Sequence, residues 1–115
     1  MQYSFIIPVY NRPDELDELL KSLAEQTYTA DFEVVVIEDG STISSESICQ
    51  QYQSSLSITY LAKPNTGPGD SRNYGMRHAK YDYFLILDSD CLLPPHYLEA
   101  VDDYLQAHYV DCFGG

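Results

Sequence analysis

The sequence predicts a three-layer α/β domain with a mostly parallel sheet. Short apolar runs such as Val34–Ile37 and Phe84–Leu87 do not alternate with polar residues, which is typical of strands covered on both faces. Segments with apolar residues at helical spacing separate these runs. Strands that alternate with helices favour parallel pairing through right-handed crossovers, so we expect helices on both faces of one sheet.

The first half of the chain contains strand and helix signals in alternation. Val9 closes a run rich in β-forming residues, Pro13 suits the first turn of a helix, and several leucines then recur at helical spacing. The predicted elements are a strand at Tyr3–Val9, a helix at Asp14–Gln26, a strand at Phe32–Ile37 and a weaker helix at Thr42–Gln53, with Ser44 as a cap.

The second half contains the densest turn signal, Lys63–Gly69, which is rich in proline, glycine and asparagine. An apolar run then ends abruptly in Asp88 and Asp90, which are separated by one residue. The predicted elements are an edge strand at Ser57–Leu61, a helix at Asp70–Ala79, a strand that starts at Tyr83, a helix at Tyr97–Ala107 and the beginning of a strand within Tyr109–Gly115.

Composition restricts the classes of function. The 115 residues suit one domain, and eighteen acidic against six basic residues give a net charge of −12. Such a charge repels nucleic acids and anionic membranes, so a nucleic-acid partner is excluded. The three cysteines have no metal-type spacing, which favours a reduced, cytoplasmic protein. No apolar run is long enough to predict a membrane span.

Carboxylates at the ends of two predicted strands indicate where the chemistry lies. Asp39 and Asp88 each follow such a strand, while Lys63, Arg72 and Arg77 accompany the glycine-rich turn. The carboxyl ends of parallel strands meet at one edge of a sheet, where ligands bind. Mg²⁺ or Mn²⁺ is commonly held by one or two carboxylates together with substrate phosphates. A metal-bound nucleotide diphosphate fits this combination.

Four segments in this order resemble the nucleotide-binding half of an inverting glycosyltransferase of family 2, which has the Rossmann-like GT-A fold. Each segment alone is modestly specific, but together they span nearly the whole chain. The segments are Ile6–Arg12, Val36–Thr42, Asn65–Gly75 and Leu85–Asp90.

The resemblance implies a role for each matching residue. Asp88 and Asp90 form the DXD motif of the family, with Asp90 as the direct ligand of Mg²⁺ or Mn²⁺ and Asp88 nearer the ribose or sugar. Glu38 departs from the more usual Asp, and Ser71 from a common Ala. The implied nucleotide-binding residues are Pro8, Tyr10 and Asn11 at the nucleoside, Glu38 and Asp39 at the base, and Asn65, Gly67 and Arg72 towards the base and diphosphate.

The resemblance also implies a donor, an acceptor and a catalytic base that lies outside residues 1–115. The donor is a nucleotide diphosphate sugar, with a UDP-sugar expected first, and the acceptor is a glycan or a lipid-linked molecule. In the family the catalytic base follows well after the DXD motif, so it is expected beyond Gly115. We therefore expect residues 1–115 to be the donor-binding half, truncated after the DXD strand and its following helix, inactive alone, and at the inner face of the membrane in the intact protein.

Two other classes remain open at this point. A receiver-like, Mg²⁺-binding signalling module would need a lysine at a later strand end, and Lys21, Lys63 and Lys80 are not so placed. A nucleotidyltransferase-like domain would need a glycine-rich basic loop directly after the first strand, where Tyr10 and Asn11 stand instead.

Overall fold

The computed structural model describes residues 2–26, 32–81, 83–89, 93, 95–107 and 112–114. Its strands are β1 (Tyr3–Val9), β2 (Phe32–Asp39), β3 (Ile58–Lys63), β4 (Tyr83–Ile86) and β5 (Cys112–Gly114). Its helices are α1 (Pro13–Ala24), α2 (Glu46–Gln51), α3 (Pro68–His78) and α4 (Tyr97–Ala107). None of these described helices is long and apolar enough to cross a membrane.

The strands form one sheet in the order β3-β2-β1-β4-β5, and every neighbouring pair in it is parallel. The chain builds the sheet outward from β1 to β3 and then crosses back to place β4 on the other side of β1. The strand order therefore reverses between β1 and β4, and a crevice is expected beyond the carboxyl ends at such a switch point. The predicted α/β fold is confirmed.

The central strands are covered on both faces, as their uninterrupted apolar runs predict. Phe5 and Ile7 belong to the larger core, together with apolar residues of α1, α2 and α4. Ile6, Val35 and Ile37 form a smaller core against α3. Successive strand residues point to opposite faces, so each apolar run supplies both cores and the domain has three layers.

Helix α2 is shorter than the predicted helix at Thr42–Gln53, because the residues before it form a loop. The backbone N–H of Ser45 donates to Glu38 Oε1 at 2.6 Å. The N–H of Glu46 donates to Ser44 Oγ at 3.1 Å. Side-chain acceptors of this kind stabilise non-helical backbone, so the helix begins only at Glu46.

The close contact between α3 and the sheet requires a glycine at position 75. A Cβ atom there would lie 2.5 Å from Ile37 Cδ1 and 2.9 Å from Ile6 Cγ2. Both isoleucines are fully buried, so their side chains have little room to move. Gly69 of the same helix faces open space, with no atom within 4 Å of an added Cβ.

We expect Gly75→Ala to lower the free energy of unfolding by about 1–3 kcal/mol, because the added methyl group overpacks a filled core. Gly69→Ala is the matched control on the same helix. It should keep or raise the stability by up to about 1 kcal/mol, since alanine favours helix over glycine. Urea denaturation followed by circular dichroism measures both variants. Equal stabilities of the two would contradict the close packing of α3.

Candidate functional site

A cavity of about 290 Å³ lies at the carboxyl ends of β1, β2 and β4, where the strand order reverses. It is lined by Pro8, Val9, Tyr10, Asp39, Asn65, Gly67, Asp88 and Ser89. Most of the nucleotide-binding residues predicted from the sequence are in this set. Asn11, Glu38 and Arg72 are not, and Asp90, the predicted metal ligand, lies outside the described residues.

Tyr10 and Asn11 form the turn after β1 and differ in what they contact. Tyr10 lines the cavity and is 52% exposed, which is high for a large apolar side chain. Asn11 has a φ of 52°, a left-handed conformation that asparagine tolerates better than most residues. Its Oδ1 accepts hydrogen bonds from the N–H groups of Thr42 at 2.8 Å and Ile43 at 3.0 Å. Asn11 therefore ties the β1–α1 turn to the β2–α2 loop.

Glu38 and Asp39 are adjacent at the end of β2 and point to opposite faces of the sheet. The Glu38 carboxylate is buried and accepts hydrogen bonds from Ser41 Oγ at 2.6 Å, from the Ser45 N–H at 2.6 Å and from the Tyr60 hydroxyl at 3.0 Å. These partners belong to the β2–α2 loop and to β3. The contact with the base that the resemblance implies for Glu38 stays a prediction, and the carboxylate is already occupied as a loop anchor.

Asp39 faces the cavity side and is held by an ion pair. Lys63 Nζ lies 2.7 Å from Asp39 Oδ1, and the side chains are 7% and 6% exposed, respectively. The N–H groups of Thr66 and Gly67 donate to the same carboxylate at 2.9 and 3.1 Å. Burial alone raises the pKa of Asp39, but these three donors and the Lys63 charge bring that pKa below its ordinary value. Asp39 is therefore an ionised hydrogen-bond acceptor at neutral pH.

Lys63 shows what sequence reasoning missed. Its position beside the glycine-rich turn predicts a member of a local positive patch. The structure instead places it under the β3–α3 loop, as the partner of a residue 24 positions earlier in the chain. β2 and β3 are parallel with Asp39 opposite Lys63, so only the strand register could have revealed the pair.

Glycine allows the β2–α2 turn to approach the β3–α3 loop. Gly40 has a φ of +71°, and a Cβ atom there would lie 2.5 Å from the backbone nitrogen of Asn65. Asn65 Nδ2 also donates to the Asp39 carbonyl oxygen at 3.0 Å. Because these contacts hold the two segments together, the cavity wall at Asp39 and Asn65 is a single unit.

Asp88 and Arg72 form a second charged pair at the cavity. Arg72 Nη2 lies 3.5 Å from Asp88 Oδ1, and the side chains are 39% and 67% exposed, respectively. An exposed pair of this kind stabilises a protein by about 0–1 kcal/mol. Arg72 Nε is buried and has no hydrogen-bond partner among the described residues. The Asp88 carboxylate and the Arg72 guanidinium can therefore turn to a ligand at little cost in free energy.

The described residues contain no cluster of three or more His, Cys, Asp or Glu side chains suited to a metal. Asp88 nevertheless has the properties of a ligand for a hard cation, because its carboxylate oxygens are exposed at the cavity. Mg²⁺ and Mn²⁺ prefer such oxygens, and Mg²⁺ needs only one or two protein carboxylates when substrate phosphates complete its coordination.

An exposed aromatic ring, a buried ionised acceptor and an exposed carboxylate–arginine pair meet at the switch point of a parallel sheet. This combination defines a nucleotide-binding α/β domain. The chain belongs to glycosyl transferase family 2, since the model of that family matches residues 4–115. The GT-A, family 2 resemblance predicted from the four segments is confirmed. The expectation that Lys63 does not lie at a strand end is wrong, because Lys63 is the last residue of β3. The family match nevertheless leaves the receiver-like and nucleotidyltransferase-like alternatives without support.

Curated relatives are glycosyltransferases of several kinds. The poly(ribitol-phosphate) β-N-acetylglucosaminyltransferase TarS of Staphylococcus aureus is 33% identical over 114 residues, which cover 96% of this chain and 20% of TarS. The validoxylamine A glucosyltransferase of Streptomyces hygroscopicus is 39% identical over 108 residues, covering 91% of this chain and 25% of the relative. This chain therefore spans about a quarter or less of the length of these relatives.

Solved structures agree with this assignment. TarS residues 1–349 in complex with UDP superpose with a TM-score of 0.87 at 32% identity, covering 95% of this chain and 33% of that one. The mannosyltransferase PcManGT of Pyrobaculum calidifontis, in complex with GDP-Man and Mn²⁺, gives a TM-score of 0.74 at 30% identity, covering 80% and 28%.

We expect Asn11→Ala to lower the free energy of unfolding by about 1–3 kcal/mol, because the Thr42 and Ile43 N–H groups lose their acceptor and alanine resists a positive φ. Asn73→Ala, an exposed change on α3, is the matched control and should stay within about 0.5 kcal/mol of the parent. Thermal unfolding followed by circular dichroism compares them. If the two variants melt together, Asn11 does not tie the loops.

Proposed function

We propose that this chain binds the nucleoside diphosphate part of a sugar donor, and that the protein containing it transfers the sugar to an acceptor hydroxyl with inversion. The observation that carries the proposal is that Tyr10, Asp39 and Asp88 line the same cavity at the switch point of the sheet. Membership of glycosyl transferase family 2 supports it. So do the neighbours, since TarS is described with UDP-GlcNAc and PcManGT with GDP-Man.

The nucleoside is proposed to occupy the side of the cavity formed by β1 and β2. The exposed ring of Tyr10 offers a flat apolar surface on which a base can stack. Asp39 offers an ionised acceptor for an N–H group of the base. Pro8, Asn65 and Gly67 supply the remaining wall. The Asn65 side-chain amide keeps hydrogen-bonding capacity beyond its one bond to the Asp39 carbonyl oxygen.

The diphosphate is proposed to occupy the side near β4. Asp88 together with Asp90 would hold Mg²⁺ or Mn²⁺, and the description of PcManGT with Mn²⁺ supports a divalent cation. A bound cation neutralises negative charge that develops on a diphosphate leaving group. Arg72 is proposed to turn from Asp88 to a phosphate oxygen, because guanidinium groups bind phosphate strongly and the present ion pair is weak.

Several expectations from the sequence stay predictions. They are the donor-binding role of residues 1–115, the catalytic base beyond Gly115, the inactivity of this chain alone, a glycan or lipid-linked acceptor, and a cytoplasmic location at the inner face of the membrane. The large share of each relative that this chain does not cover leaves room for acceptor-binding segments in such proteins.

Calorimetry tests the metal-dependent part of the proposal. We expect UDP to bind in the presence of Mn²⁺, and binding to be lost when a chelator removes the metal. Asp88→Ala and Asp90→Ala should each raise the dissociation constant at least about tenfold, which corresponds to about 1.4 kcal/mol. The control is Asp103→Ala, which removes an exposed carboxylate of α4 and should leave the constant unchanged.

Two results would count against this proposal. If UDP binding persists with a chelator, or is unchanged in Asp90→Ala, the proposed role of the metal is wrong. If none of UDP, GDP and CDP binds the folded chain, the proposal that the cavity binds a nucleotide is wrong.

A further inference from the structure

The Lys63 ammonium is buried and uses all of its hydrogen-bonding capacity. It donates to Asp39 Oδ1 at 2.7 Å, to the Pro64 carbonyl oxygen at 3.1 Å and to Thr66 Oγ1. An ammonium group has three N–H donors and no acceptor. With all of them engaged and the side chain 7% exposed, Lys63 has no free donor for a ligand and acts only through Asp39.

The Asp39 carboxylate is left with little free acceptor capacity. A carboxylate has about four acceptor positions, two on each oxygen. Lys63 and the Thr66 N–H occupy Oδ1, and the Gly67 N–H occupies one position on Oδ2. One position on Oδ2 therefore remains, and Asp39 lines the cavity.

We propose that Lys63 sets the base selectivity of the nucleotide site, by holding Asp39 as an ionised acceptor with one open position. The base that fits is one with a single isolated ring N–H between two carbonyl groups, as in uracil. Guanine presents a ring N–H beside an amino group and needs two acceptor positions. Cytosine and adenine present a bare ring nitrogen on that edge, to which a carboxylate has no proton to donate. This inference rests on the proposed nucleotide-binding function of the cavity.

The other charged groups near Asp39 do not replace Lys63. Asp70 lies at the start of α3, and its Oδ2 is 3.8 Å from Lys63 Nζ, but its side chain is 57% exposed. Asp88 lines the same cavity and pairs with Arg72. Neither of these carboxylates supplies a positive charge, so Lys63 is the cation that offsets the burial of the Asp39 charge.

Losing Lys63 therefore has a consequence that depends on pH. The parent Asp39 has a pKa below its ordinary value, so it stays an acceptor from pH 8 down to pH 5 and UDP binding should be insensitive to its titration. In Lys63→Met, burial without a counter-charge raises that pKa. UDP binding is then lost as the pH falls through the raised value, while a protonated Asp39 donates to the ring nitrogen of cytosine and CDP binding increases.

The experiment is calorimetry of UDP, GDP and CDP with Mn²⁺ at pH 8, 6.5 and 5, on the parent chain, Lys63→Met and Lys21→Met. Lys21 is an exposed lysine of α1, so its variant is the matched control. We expect the parent and the control to prefer UDP over GDP and over CDP at least about tenfold, because the wrong base leaves buried polar groups unpaired. In Lys63→Met the preference for UDP over CDP should fall below about threefold at pH 5.

Comparison with Lys21→Met cancels the titration of the nucleotide phosphates, which is the same for both variants. If Lys63 had only a structural role, Lys63→Met would weaken the binding of all three nucleotides equally at every pH. That result would overturn the inference. Circular dichroism first establishes whether Lys63→Met folds. If it does not, Lys63→Gln, which keeps amide donors but removes the charge, takes its place in the same comparison. Equal affinities of the parent for the three nucleotides would overturn the inference in either case.

The two proposals fail in distinguishable ways. If no nucleotide binds the parent chain, the proposed function is wrong, and so is the proposed role of Lys63 in base selectivity. If the parent binds all three nucleotides equally, nucleotide binding stands and only the role of Lys63 is removed.

Discussion

Burial of both faces of β1 and β2 is the constraint on which the rest of the structure depends. Ile6 and Ile7 are adjacent and both fully buried, which requires a helical layer on each side of the sheet. Parallel neighbours can be joined only by a crossover, and the crossover helices supply those two layers. Because all paired strands run in one direction, the polar residues at their carboxyl ends lie at the same edge of the sheet. The cavity forms at this edge.

The end of β2 shows how this edge accommodates charge. Glu38 and Asp39 are both about 4% exposed, and a buried carboxylate is costly unless donors surround it. Their opposite directions give them separate donors: hydroxyl and backbone groups for Glu38, and Lys63 with backbone groups for Asp39. A buried ion pair often stabilises a fold no more than apolar residues would. The position of the Asp39–Lys63 pair in the cavity wall agrees better with a role in ligand recognition than with a role in stability.

The loops around the cavity form one unit. Asn11 ties the β1–α1 turn to the β2–α2 loop, and Gly40 lets that loop contact Asn65 in the β3–α3 segment. Side chains positioned by mutually bonded loops keep their geometry without a ligand. Such preorganisation lowers the entropy that binding would otherwise cost. In the proposed function, the exposed pair of Arg72 and Asp88 is the part of the site that rearranges around the ligand.

The sequence by itself determined the layers, the order of the elements and most of the cavity lining, including Pro8, Tyr10, Asp39 and Asp88. The layers, the order of the elements, Asp39 and Asp88 follow from local features, namely apolar runs, turn residues and polar residues directly after strands. Pro8 and Tyr10 follow from the resemblance to family 2. Only the tertiary structure decided that Glu38 turns away from Asp39 to anchor a loop, that Asn11 serves as a loop tie, and that Lys63 is a buried counter-ion. Each of these depends on a partner far along the chain, which strand order and register select and local patterns do not encode.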